Sequence, residues 1–237
     1  MSEASPQVVN RLLAALPDAE YQRLIPHLEF VSLSGRQVLH KAGESIEYVY
    51  FPHRGIVSLL SAPEEGSTVE VGLVGNEGIV GIPATLGDKI AIATAIVQIA
   101  GSGMRMEASL LKIEFEQGGS LQSLLLRYTQ ALYVASQNAA CNRLHQLDER
   151  LARWLLLVCE FEGSNELPLT QEFISKMLGV RRSGVTEAAN RLQQAGLIGY
   201  NRGRITILNR QKLEAASCSC YGIITGEYAR LLGTEKS

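Results

Sequence analysis

No stretch of the chain is both long and apolar. The longest weakly polar run, Lys89 to Gly101, holds about a dozen residues and includes Thr94 and Gln98, against roughly 20 for a spanning helix. A membrane protein is therefore not expected. Cysteine is scarce: Cys141, Cys159, Cys218 and Cys220, with none before position 141. Four in 237 residues do not make a disulfide framework. Residues 1–10 show neither a basic nor an apolar leader pattern, so no secretory signal is expected and the expected compartment is a reducing cytoplasm. Net charge is only −2, so the total points to no nucleic-acid or membrane partner. With 46% hydrophobic and 19% charged residues the chain is ordinary globular material, which excludes wholesale disorder. Its length suits one large or two small domains.

The placement of charge says more than its sum. Residues 1–147 are net acidic and residues 148–237 net basic. Thr170 to Lys212 holds Lys176, Arg181, Arg182, Arg191, Arg202, Arg204, Arg210 and Lys212 against only Glu172 and Glu187. Such a stretch is either a solvated helix face or a phosphate-binding face.

Three patterns follow one another along the chain. Up to about Leu28, Val8, Leu12, Leu13, Leu16 and Leu24 recur at near-helical spacing, punctuated by Pro17 and Pro26. From Glu29 to about Arg105 come short Val/Ile/Tyr-rich runs: Glu29–Leu33, Gln37–His40, Tyr48–Phe51, Ile56–Leu60, Val69–Val74 and Thr94–Ile99. Turn signals such as Ala42-Gly43, His53-Arg54-Gly55 and Gly75-Asn76 separate them, which predicts an antiparallel sandwich, roll or barrel. After Glu107 helix formers dominate. A short helix ends at Gly118-Gly119, and Ser120 is the expected N-cap of a long helix reaching about Gln146.

That helix places Leu121, Leu125, Tyr128, Leu132, Ala135, Ala139 and Asn142 at alternating spacings of four and three, a heptad seam. The seam packs either on the helix's own domain or on a second chain. The helix's length, the small alanines and the polar Asn142 favour a dimer. A further amphipathic helix, Asp148–Glu162, ends at Gly163-Ser164-Asn165.

Leu169 to Ile207 carries the strongest functional pattern. Thr170 precedes a short helix with Phe173, Ile174, Met177 and Leu178 apolar; Gly179 permits a sharp turn; Arg181-Arg182-Ser183 opens a second helix with Val185, Ala188, Ala189 and Leu192 inward. This is a helix-turn-helix. Its second helix exposes Arg182, Ser183, Thr186 and Glu187 near the N-terminus, where base edges are read. Tyr200 to Leu208 follows as a two-stranded wing with Arg202 and Arg204 at its tip, suited with Thr170 and Arg181 to phosphate contact.

The order of roll, long helix and winged helix-turn-helix resembles the Crp/Fnr family of bacterial transcription regulators across nearly the whole chain. The resemblance rests on TQEFISKMLGVRRSGVTEAANRLQQAGLI (Thr170–Ile198), the wing YNRGRITIL, and GNEGIVGIPATLG (Gly75–Gly87). It implies an α+β fold: an N-terminal antiparallel β-roll of the double-stranded β-helix or jelly-roll type, a long dimerisation helix and a C-terminal winged helix-turn-helix. The expected divisions are 1–119, 120–147 and 148–237. It also implies a cytoplasmic, non-enzymatic homodimer that binds near-palindromic double-stranded operator DNA and contacts RNA polymerase. Base reading falls on Arg182, Ser183, Thr186 and Glu187. Ser183 stands where an acidic residue is common and Glu187 where arginine is common, so the operator does not carry over. Glu187 either accepts from a cytosine N4 or pairs with Arg191.

The effector pocket implied by the resemblance comprises Glu77, Gly78, Gly81, Ile82, Pro83 and Ala84. Residues 90–95 contain no arginine, and a buried phosphate needs a counter-charge, so a cyclic nucleotide is disfavoured and the effector is open. For Cys218-Ser219-Cys220 three readings stand: buried small residues, a redox pair, or part of a metal site. The C-x-C spacing does not match a usual zinc motif, and no metal is expected. His27, His40, His53 and His145 are scattered. A redox-sensing regulator working through cysteines is the alternative function. A cupin-like metalloenzyme is a second, opposed by the absence of any closely spaced histidine pair near His40 or His53.

Overall fold

The computed structural model describes residues 10–64, 67–136, 141 and 143–233. They divide into two compact units. The first holds the described residues to Val57 with Val74–Thr129, and the second holds Ser58–Leu73 with the residues from Gln130 onward. The boundaries therefore differ from 119 and 147. The strand Tyr48–Glu64 from Ser58 onward and all of the strand Ser67–Val74 but its last residue belong to the second unit, and the long helix is shared. Among the described residues no helix is long and apolar enough to cross a membrane.

The first unit starts with helices α1 (Arg11–Ala14) and α2 (Asp18–Leu24) and a 3-10 turn, Ile25–His27. Strands β1 (Glu29–Leu33), β2 (Val38–His40), β3 (Tyr48–Glu64) and β4 (Ser67–Val74) follow, then the single turn α3 (Pro83–Leu86), β5 (Thr94–Glu107), α4 (Ala108–Glu116) and α5 (Gly119–Ser136). The sheet runs β1-β5-β3-β4, with β2 also on β5. β1 lies antiparallel to β5, from Glu29 opposite Arg105 to Leu33 opposite Gly101. Ala95, Val97 and Ile99 alternate inward on β5 and join Ile46, Val49, Phe51 and Ile56 in the core.

Two sequence expectations change here. His53-Arg54-Gly55 is not a turn but lies inside β3. Gly55 has φ 89°. A Cβ on Gly101 would stand 2.0 Å from the Arg54 carbonyl oxygen, so these glycines mark close backbone approach. Ser120 is not the cap of α5. Glu20 reaches across instead, its carboxylate accepting from the N–H groups of Ser120 (3.0 Å) and Leu121 (2.7 Å). Those hydrogen bonds hold the Glu20 pKa below its ordinary value.

The heptad seam is also revised. Leu121, Leu125 and Tyr128 are buried within the single chain. A Cβ on Gly78 would lie 2.4 Å from the Tyr128 hydroxyl, so this face of α5 is already packed. Leu132 is half-buried, Ala135 is buried, and Ala139 and Asn142 lie outside the described residues. The exposed apolar residues of α5 are Leu126 and Tyr133. Heptad spacing identifies a packed stripe; it does not say which partner fills it.

The second unit is built around α6 (Leu147–Glu162). Its start is a capping box, with the Gln146 N–H donating to Glu149 Oε2 at 3.0 Å. Gly163 ends it at φ 73°. The helix is buried on every side, including Arg150 and Arg153, rather than amphipathic. Around it lie β6 (Glu166–Leu167), α7 (Gln171–Leu178), α8 (Arg182–Gln194), β7 (Ile198–Asn201), β8 (Arg204–Ile207), α9 (Arg210–Ala215) and α10 (Cys220–Leu232). The sheet order is β6-β8-β7, so the wing has three strands rather than two.

Candidate nucleic-acid interface

Helix α7 begins at Thr170, whose hydroxyl accepts the Phe173 N–H at 3.3 Å. It ends in a Schellman motif: the Val180 N–H donates to Ser175 O and the Gly179 N–H to Lys176 O, with Gly179 at φ 63°. Glycine is needed there because the left-handed backbone is costly with a Cβ. The turn releases the chain into α8, which buries Val185, Ala188, Ala189 and Leu192.

On the opposite face Arg181, Arg182, Ser183 and Glu187 are exposed. Thr186 is half-buried. Its hydroxyl donates to Gln171 Oε1 at 2.7 Å and lies 3.0 Å from the Arg182 carbonyl oxygen. Thr186 therefore ties the two helices together while flanking the exposed face of α8. The Glu187–Arg191 ion pair is not formed. Arg191 makes a two-pronged contact to Asp148, at 2.5 and 2.6 Å, which leaves Glu187 on the surface.

The wing turns at Arg202 (φ 46°) and Gly203 (φ 78°). Two successive positive φ values make the tight turn that matches strand twist. A Cβ on Gly203 would meet the Thr170 methyl at 3.5 Å, so the wing tip lies beside the start of α7. Arg204 is held by Glu166 on β6 at 3.0 Å, with both side chains exposed. Arg202 forms no ion pair among the described residues.

The glycine-led cassette of the first unit is arranged differently from expectation. Glu77 is buried, and its two carboxylate oxygens accept the Gly75 N–H at 3.2 and 3.1 Å. Buried Asn10 donates to the carbonyls of Gly78 (2.9 Å) and Pro52 (3.0 Å) and accepts the N–H groups of Leu12 and Leu13. Gly81 needs its φ of 99°, and Ile82 and Ala84 are buried. Glu77 and the Gly78 carbonyl are thus tied into the fold by hydrogen bonds. A cavity of this unit, about 730 Å³, is lined by Ala84 and by Glu47, Asp88, Lys89, Glu107 and Lys112. Of the six expected pocket residues only Ala84 lines it.

Residues 149–216 match the description Crp-like helix-turn-helix domain, and residues 30–111 match Cyclic nucleotide-binding domain. The chain belongs to the Crp/Fnr family of transcription regulators. The global nitrogen regulator of Nostoc sp. (strain PCC 7120) is 24% identical over 179 residues, spanning 70% of this chain and 78% of that protein. FixK2 from Bradyrhizobium japonicum superposes with a TM-score of 0.68 at 18% identity, over 81% of this chain and 98% of that one. CLP of Xanthomonas campestris, a c-di-GMP responsive global regulator, gives 0.63 at 13% identity, over 81% and 99%.

As a Crp/Fnr regulator the chain carries a helix-turn-helix DNA-binding domain and a cyclic-nucleotide-binding-type roll. Sequence reasoning missed Asn10, Gln171 and Glu166, short-range-looking polar residues whose partners are set only by the fold. It also missed a grouping. No metal was expected, yet the metal-ligating atoms of Cys141, His145, Cys218 and Cys220 lie within 4.8 Å of one another. The C-x-C spacing hid this because half of the group comes from more than seventy residues away. His40 and His53 belong to no such group among the described residues; burial lowers the pKa of both.

Proposed function

We propose that the protein acts as a homodimer on a near-palindromic operator, with α8 in the major groove. Arg182, Ser183 and Glu187 read bases, while Arg181, Arg202 and Thr170 hold phosphates. Arg204 supports the wing through Glu166 and adds charge beside the backbone. Thr186 sets the angle of α8 through Gln171 and adds its methyl to the reading face. The observation that carries this is the exposed N-terminal face of α8, where Arg181, Arg182 and Glu187 form no ion pair among the described residues. Arg182 suits guanine O6/N7 and Glu187 a cytosine N4. Contact with RNA polymerase follows from the same reading.

For the dimer, exposed Leu126 and Tyr133, seven residues apart on α5, are the residues that face a second chain. The effector is not assigned. The cavity lining mixes two lysines with three carboxylates, and it lacks the arginine fork that a cyclic phosphate needs.

The test is Arg182→Ala on an operator selected from random duplexes. Loss of one bidentate base contact is worth about 1–3 kcal/mol, so discrimination at one base pair should fall at least fivefold with the dimer intact. Unchanged selectivity and affinity would reject the base-reading assignment.

A further inference from the structure

We propose that Cys141, His145, Cys218 and Cys220 form a binding site for one zinc ion, which fastens the head of α10 to the segment before α6. All four belong to the second unit. The Sγ atoms of Cys141 and Cys218 are 3.5 Å apart, and Cys220 Sγ is 3.8 Å from His145 Nδ1. A tetrahedral zinc with sulfur at about 2.3 Å and nitrogen at about 2.0–2.1 Å sets its ligand atoms about 3.5–3.8 Å apart. The site thus has the spacing of a single ion. A span of at most 4.8 Å leaves no room for a multi-iron cluster. The sulfurs are also well beyond the bond length of a disulfide, about 2.05 Å.

The backbone holds these ligands in place. His145 follows Cys141 by one helical turn, its N–H donating to the Cys141 carbonyl at 3.1 Å, so both side chains share a face. The Cys218 N–H donates to the Glu149 carbonyl at 3.4 Å, and the Tyr221 N–H to the Cys218 carbonyl at 3.0 Å as α10 begins. Cys141 and Cys218 are buried.

The surroundings fit the charge of the loaded site. Zinc with three thiolates and a neutral imidazole carries one negative charge. Buried Arg153 acts electrostatically on all three cysteines, and buried Arg150 on Cys141 and Cys218. The loaded site would place its negative charge beside these two cations. Three soft thiolates and an imidazole in a closed tetrahedron suit zinc over harder divalent cations. This site is separate from the DNA-reading face and does not depend on its assignment.

The experiment is metal analysis of the purified full-length protein, followed by cobalt substitution. We expect one zinc per chain. Cobalt should give the intense visible bands of a tetrahedral site with thiolate charge transfer. Cys218→Ser should weaken zinc affinity at least tenfold, while Cys159→Ser, outside the group, should leave it unchanged. If Cys218→Ser does not fold, the wild-type protein decides: an organomercurial should release one zinc per chain as the thiols react. Wild-type protein without stoichiometric zinc and with only octahedral cobalt would overturn the proposal. So would stoichiometric iron and sulfide, or a resting Cys141–Cys218 disulfide.

Discussion

Glu70 on β4 places a carboxyl wholly inside the second unit. Its Oε1 accepts from the Trp154 indole N–H at 2.8 Å and its Oε2 from the Ser58 hydroxyl at 2.8 Å. Burial pushes its pKa up to about 7 from an ordinary 4.5, against the opposing pull of Ser58, Trp154 and Arg153. The unfolded chain gives up this proton first as pH rises, so the folded state binds more protons between those values. Stability from this residue is full below pH 4.5 and lost as pH rises through about 7. The loss is bounded by about 3 kcal/mol. Trp154 is the one tryptophan of the chain, so its fluorescence reports this carboxyl directly. Emission should titrate near pH 7 in the wild type and lie flat in Glu70→Gln. Denaturation midpoints of the two proteins should diverge over the same interval. Superimposable profiles would show that Glu70 ionises elsewhere.

At the scale of elements, periodicity made the fold readable. The runs at Glu29–Leu33 and Val69–Val74 lie within strands, and Gln171–Leu178 and Arg182–Gln194 form the expected helix-turn-helix. Local signals failed where a distant partner decides. Gly55 reads as a turn but serves close strand approach to Gly101. Ser120 reads as a cap, yet Glu20 does that work from a hundred residues away. Glu166, for which the sequence offers no signal, adds the third strand of the wing. The stripe on α5 was legible as packed, though its partner was not. Leu126→Glu with Tyr133→Glu should therefore yield monomers by sedimentation with little change in melting temperature. Tyr128→Ala should instead lower the melting temperature by several degrees and spare the oligomer, since a buried aromatic lost to alanine costs about 3–5 kcal/mol. The opposite pattern would return the seam to Leu121, Leu125 and Tyr128.

At the scale of the whole molecule, a nearly neutral chain concentrates eight of its 22 lysines and arginines between Thr170 and Lys212. Helix α8 was legible because its apolar positions are fixed by packing, which leaves Arg182, Ser183 and Glu187 on its exposed face. Which cations stay available for DNA was not legible, since the fold commits Arg191 to Asp148 and Arg204 to Glu166. The effector pocket was least legible, because Glu77 and Gly78 are bound up with Gly75, Asn10 and Tyr128 rather than open to a ligand.

The most direct test of the DNA-reading account is a footprint and salt titration of the full-length protein on its selected operator. Two protected half-sites should appear, about one helical turn or a multiple of it apart. Affinity should fall steeply and linearly in log–log form with salt, and the slope should become shallower by about one in Arg202→Ala. Binding that is indifferent to sequence, or a single unpaired half-site with no salt dependence, would contradict it.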